Sequence, residues 1–157
     1  MKKLTLRTED VLKAHNVLNA AKYGKLEDAD KVRVWKIGRQ MKPVADAFDD
    51  ATKDAAEKMK PTEDFTERLQ KAQEYEQKVR QADTDAQTLP MGAAEYDAFI
   101  KEFKQYNELV GKAVKEQADK EVTLEFEPLS EEAFGRLMAS NEWTVEQALR
   151  VGELVCE

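Results

Sequence analysis

Few side chains in this chain of 157 residues are of types that do chemistry, and their spacing limits what they can do. His15 is the only histidine. It has no His or Cys neighbour and falls on the apolar side of a helical stretch, the place of a core-edge histidine rather than a base or a ligand. Asp46, Asp50 and Asp54 recur at i, i+4, so three carboxylates share one helix face. In helical bundles such carboxylates hold metals together with Glu-x-x-His units on facing helices, and the chain has no such unit. Lys42 and Lys58 continue the row at its two ends, which predicts a solvated, ion-paired face. Asp83, Asp85 and Gln87 imitate the opening of a calcium loop, but Thr88 stands where that loop needs Gly and Ala94 where it needs a bidentate Glu. An ordinary polar loop is expected. Cys156 is the single cysteine, so an intramolecular disulfide and a cysteine zinc site are excluded, and it reads as an exposed tail thiol. There is no Gly-rich phosphate loop and no arguable Ser-His-Asp set. Catalytic residues, metal ligands, a cofactor and enzyme activity are therefore not expected.

What remains is a candidate interaction surface. Lys31, Arg33, Lys36, Arg39 and Lys42 cluster around Trp35, and Trp143 is the second tryptophan. Cations beside an indole suit phosphates and a stacked base. Steps of three residues drift around a helix, however, Trp35 adjoins the apolar face, and the net charge is −7. These weigh against nucleic acid and in favour of a protein partner or self-association.

The elements that must position these residues follow from periodicity. Lys31 to Met59 carries Val34, Ile37, Met41, Val44, Phe48, Ala51, Ala55 and Met59 in steps of three and four, a helical period. Such a helix is about 43 Å long at roughly 1.5 Å per residue, so something must cover it. Pro43 removes a hydrogen bond to the Arg39 carbonyl, but the stripe keeps its phase, which predicts one kinked helix rather than two. Asp28 or Asp30 is its expected cap. The stretch near 2–7 alternates, with Leu4 and Leu6 inward; Glu121–Glu127 alternates too, with Val122, Leu124 and Phe126 on one face. The two are expected to pair into a ribbon with Lys and Arg opposite Glu. Between them come a helix capped by Thr8 that bears Val11, Leu12, His15, Leu18 and Ala21 and ends near Gly24; a helix capped by Thr62 that buries Phe65, Leu69, Ala72, Tyr75, Val79 and Ala82; an irregular segment from 82 to 92; and an aromatic helix, Tyr96–Gln117. The aromatic helix is the natural cover for Lys31–Met59. Ser130 starts a helix with Phe134, Leu137 and Met138, and Thr144–Gln147 is a capping box for a last helix with Ala148, Leu149, Val151 and Leu154. The fold class is mostly α with a small β element: a long antiparallel helical hairpin or bundle, a two-stranded ribbon and short C-terminal helices.

Composition bounds the rest. The length suits one domain, 1–157, with a helical core over about 8–120 and the strand and last helices over 121–157. Residues 1 to 42 hold 11 Lys and Arg against 5 Asp and Glu, whereas the remainder is strongly acidic. No run approaches the roughly 20 apolar residues of a membrane span, and no apolar signal core follows Met1-Lys2-Lys3, so a cytoplasmic protein without membrane contact is expected.

The order of elements, with "KLTL", then "VRVWKIGRQMKPVADAFDDA", then "YNELVGKAVKEQADKEVTLEFEPLS", resembles a family of small uncharacterised proteins encoded by tailed phages and prophages. The likeness runs to about Phe134 and is most specific where "NELV" leads into the acidic strand and Pro-Leu-Ser; Asn141–Glu157 and the Pro90 loop have no counterpart. The resemblance implies an accessory or morphogenesis role, in the host cytoplasm or on the virion, and defines no catalytic residues.

Overall fold

The structure, a computed structural model, describes residues 1–83, 85 and 87–157; Thr84 and Ala86, within the expected irregular segment, lie outside the described residues. In chain order the elements are β1 (Lys2–Arg7), α1 (Thr8–Asn19), α2 (Asp28–Lys58), α3 (Phe65–Arg80), α4 (Ala93–Asp119), β2 (Glu121–Phe126), α5 (Glu131–Ala139) and α6 (Val145–Val155). The fold is mostly helical with a two-stranded antiparallel ribbon. No helix among the described residues is long and apolar enough to cross a membrane. The chain divides into two compact units, residues 1–51 with 116–157, and residues 52–115.

In the first unit the two terminal stretches do pair, Lys2 opposite Phe126 through Arg7 opposite Glu121. Lys3 faces Glu125 across the strands, and the Thr5 and Thr123 hydroxyls meet at 3.0 Å on the exposed face. Arg7 forms its ion pairs with Glu9, Asp10 and Asp119 rather than with Glu121, and Glu127 turns to Arg33 of α2. The inward face of the ribbon lies on a core that includes Val11, Ile37, Met41, Leu129, Leu137 and Val151, all fully buried. Each such side chain contributes about 1.5–3 kcal/mol of burial.

Several local expectations are corrected here. Thr8 is not a cap: its amide and its hydroxyl both donate to the Lys120 carbonyl at 2.8 Å, extending the ribbon by one pair. The buried face of α1 is therefore Thr8, Val11, Ala14 and Leu18, with Leu12 and His15 at its margin. The helix stops at Asn19, the Leu18 carbonyl accepts from the Tyr23 hydroxyl and the Ala21 amide, and Gly24 is not left-handed. Asp28 and Asp30 lie inside the first turn of α2. Asp30 is buried against Arg33 instead of capping. α2 is one helix through Pro43, and its fully buried stripe ends at Met41. Ser130 caps α5, and the Thr144–Gln147 capping box of α6 is present. α5 buries Ala133 and Leu137 while Met138 is exposed; α6 buries Val151, Leu154 and Val155 while Leu149 is exposed.

The second unit has its own buried cluster, Phe65, Ala72, Met91 and Phe99. The aromatic face of α4 goes mainly to α3: Phe65 meets Phe99, Phe103 and Tyr106 with centroids 4.7–6.3 Å apart, and Tyr75 stacks on Tyr96 at 4.5 Å. Contacts pair rising with falling numbers, so α3 and α4 run antiparallel. Arg68 grips Glu102 with two hydrogen bonds, 2.6 and 3.1 Å, and lies over Phe65 and Phe99. The expected cover of α2 by this aromatic face is thus replaced by α3; α2 receives the Tyr106 hydroxyl at its Ala56 carbonyl, 2.8 Å. Thr62 does not cap α3, whose first residue is Phe65; its hydroxyl donates to Asp64. Val79 and Ala82 are exposed. Ala82 has φ 58°, and its amide bonds the Val79 carbonyl while that of Asp83 bonds the Lys78 carbonyl, a Schellman ending with Ala where Gly is usual.

Candidate functional site: a cationic groove between α1 and α2

The residue types that cluster in the sequence separate in space. Arg33 points to the ribbon side of α2, where it bonds Asp30 at 2.8 Å and Glu127 at 2.8 and 3.0 Å. The Arg33 guanidinium holds the Glu127 carboxyl below the usual carboxylate range, and Glu127, with Asp30, raises Arg33 in turn. Lys36 lines a hollow on that side with Arg39, Gln40, Glu125 and Glu127, so Arg39 borders both this hollow and the groove between α1 and α2. Trp143 is half-buried on Phe134, 6.2 Å between ring centroids, and belongs to the packing of the first unit rather than to a surface shared with Trp35.

Lys31, Trp35, Arg39 and Lys42 stay together. Steps of four, four and three put them on one helical stripe, so the expectation that the cluster drifts around the helix holds only for Arg33 and Lys36. This stripe faces α1 across a groove of about 490 Å³ lined also by His15, Leu18, Asn19, Tyr23, Val34 and Gly38. Val34 and Leu18 are buried and make its floor apolar. Gly38 leaves the floor open, since a Cβ there would meet no atom within 4 Å. Trp35 is 58% exposed, unusual for so large an apolar side chain, and Arg39 lies over its ring at 4.8 Å.

The charges of the rim are unequal. Lys31 is bonded to Asp28 at 3.1 Å and Lys42 to Asp46 at 2.8 Å, and the Asp46 carboxylate raises the Lys42 ammonium above its ordinary value. Lys58 pairs with Asp54 in the same way, so the Asp46–Asp54 row is the ion-paired face that its spacing predicts. Arg39 has no carboxylate partner among the described residues. The groove thus offers an apolar floor, an exposed indole and one uncommitted guanidinium between two partly neutralised ammonium groups. Nothing in it pairs a nucleophile with a base. His15 stands at the α1 edge.

The α1 side of the groove depends on residues that the sequence does not single out. Tyr23 is held by its bond to Leu18, with burial pushing its hydroxyl pKa up. The loop that carries it is clamped by Asn141, whose side chain accepts from the Lys22 amide at 2.7 Å and donates to the Lys22 and Leu137 carbonyls at 2.9 and 2.8 Å. Ser140 adds a bond from the Lys25 amide. The signal that was available for the α2 side was the i, i+4 relation of Lys31, Trp35 and Arg39; no comparable signal marks Tyr23 or Asn141.

Cys156 is half-buried against the core, with burial raising its thiol pKa, and is not the exposed tail thiol expected. In the 82–92 segment the Asp83 carboxylate accepts from the Thr88 hydroxyl and that of Asp85 from the Gln87 amide, turn bonds of a polar loop. Comparison with protein-family models, curated proteins and solved structures returns no match.

Proposed function

We propose that the protein is a non-enzymatic binding module that docks an acidic, amphipathic helical segment of a partner protein in the α1–α2 groove. The observation that carries this is the exposed Trp35 with Arg39 across it, above an apolar floor kept open by Gly38. An apolar anchor on the partner covers the indole, Val34 and Leu18, and its carboxylates meet Arg39, Lys31 and Lys42. Covering the exposed indole supplies most of the affinity, and the cations set orientation and on-rate. The setting we propose is an assembly or accessory role of phage or prophage origin, in the host cytoplasm or on the virion, and it rests on the run of elements alone. Panning displayed acidic amphipathic helices against the wild type, Gly38→Leu and Arg39→Glu tests the docking. Enrichment on the wild type alone is expected; equal enrichment on all three, or none on any, would overturn it.

A second reading, single-stranded nucleic acid on the same stripe, is favoured by the stacking platform that Trp35 presents next to Arg39. Two of the three rim cations already carry a carboxylate, so few counterions would be released. Oligonucleotide binding at low salt, abolished by Arg39→Glu and falling steeply with salt, would support it, and no binding at low salt would end it.

A further inference from the structure

The outer edge of β1 is an open hydrogen-bonding template. The Thr8 amide donates to the Lys120 carbonyl, which fixes Thr8 and Lys120 as a hydrogen-bonded pair of the antiparallel ladder. Alternation then makes Leu6–Val122, Leu4–Leu124 and Lys2–Phe126 the bonded pairs, and turns the backbone groups of Lys3 and Thr5, with the Arg7 amide, away from β2. The other edge confirms the phase: the Glu125 amide, opposite Lys3, points outward and is taken by the Gln40 side chain at 3.3 Å. The β2 edge is thus partly covered by α2, whereas the outward amides and carbonyls of Lys3 and Thr5 have no partner among the described residues. On the inward side of β1 a groove has an apolar floor of Leu4, Leu6, Leu149 and Leu154, with Leu149 59% exposed, and a charged rim of Asp10, Glu153 and the Glu146–Arg150 ion pair, so it takes apolar side chains on its floor and no carboxylate.

We propose that an extended segment of a partner protein, alternating acidic and apolar side chains, adds to β1 as a third strand. The chemistry of that segment follows from charge. Residues paired with Lys3, Thr5 and Arg7 would project on the exposed face, where Lys3 has no ion pair among the described residues and is the cation open to a carboxylate, Arg7 being shared already among Glu9, Asp10 and Asp119. Residues between them would project inward, onto Leu4, Leu6 and Leu149. β2 already satisfies this pattern on the other side of the same strand, with Glu121 and Glu125 opposite Arg7 and Lys3 and with Val122 and Leu124 inward. A second copy of β1 does not satisfy it, because antiparallel pairing about Thr5 sets Lys3 against Arg7 of the other copy. This surface is separate from the α1–α2 groove and does not depend on it.

The probe is the synthetic peptide Glu-Val-Thr-Leu-Glu-Phe-Glu, the sequence of residues 121–127, added to the full chain and followed by amide hydrogen exchange. The Lys3 and Thr5 amides, open without peptide, are expected to slow at least about tenfold at saturation, while Leu4 and Leu6 keep their protection. A peptide of the same composition with its alternation scrambled should have no effect. Leu149→Glu, an exposed position whose folding is checked by circular dichroism, should weaken the response about tenfold or more. Unchanged Lys3 and Thr5 exchange at millimolar peptide would overturn the proposal. So would loss of Leu4 and Leu6 protection, which means exchange with β2, or concentration-dependent protection without peptide, which means a second copy.

Discussion

Asn141 is the side chain on which the α1 side of the groove depends most. Its three hydrogen bonds tie the Lys22 backbone to the end of α5, and a net bond contributes about 0.5–1.5 kcal/mol. Asn141→Ala should therefore cost about 1 kcal/mol in denaturant unfolding and raise the exchange of the Lys22 amide; an unchanged midpoint and unchanged exchange would show the clamp to be idle. Glu127 gives a pH test. Its carboxyl is held below 4.5 by Arg33, so its stabilising effect is complete above that pH and is lost as pH falls through the folded-state value. Stability followed from pH 5 to pH 2 should drop less steeply in Glu127→Gln than in the wild type, and identical acid limbs would contradict the linkage. Neither residue is conspicuous in the sequence, since a single Asn after a helix and one Glu among many carry no periodic signal. Trp35, Lys31 and Arg39 were legible as a group, although Arg33 and Lys36, adjacent in number, face elsewhere because 100° per residue separates near neighbours on a helix.

Among the elements, those with strong periods or paired caps were legible. Alternation located both strands, and their pairing followed from the need of each backbone for a partner. The capping box at Thr144 and the cap at Ser130 lie where side-chain chemistry puts them. Thr8 misled because a threonine before Glu and Asp has the look of a cap, while the long-range bond to Lys120 that claims it is invisible locally. The cover for α4 was misassigned for the same reason: amphipathic stripes show that a face is buried but not against which helix, and Phe65 at the start of α3 is what gathers Phe99, Phe103 and Tyr106. The Ala82 ending of α3 yields a prediction of its own. A left-handed non-glycine residue costs about 1–2 kcal/mol, partly offset by the backbone freedom glycine gives the unfolded chain, so Ala82→Gly should stabilise by about 0.5–1 kcal/mol. Thermal unfolding checks the sign, and a lowered midpoint would show that Ala82 is not strained.

At the scale of the whole molecule, the buried side chains of the described residues form two clusters with no member in common, one around Ile37, Leu129 and Leu137 and one around Phe65 and Phe99. Phe65→Ala removes the centre of the smaller cluster, a loss of about 3–5 kcal/mol for a buried phenylalanine. It should raise amide exchange across α3 while the β1–β2 amides stay protected, whereas uniform loss of protection would show one cooperative unit. Length bounds the size of a core and not the number of clusters within it. The cationic groove lies in the first unit, within the basic opening of an otherwise acidic chain. The most direct test of docking there is a titration of the single indole left in Trp143→Phe with an acidic helical peptide taken from the panning. Trp35 emission should shift to the blue on saturation, with affinity about tenfold weaker or more when Arg39→Glu or Gly38→Leu is added. Emission that does not move, or equal affinity in all three proteins, would contradict the assignment of this groove as the binding site.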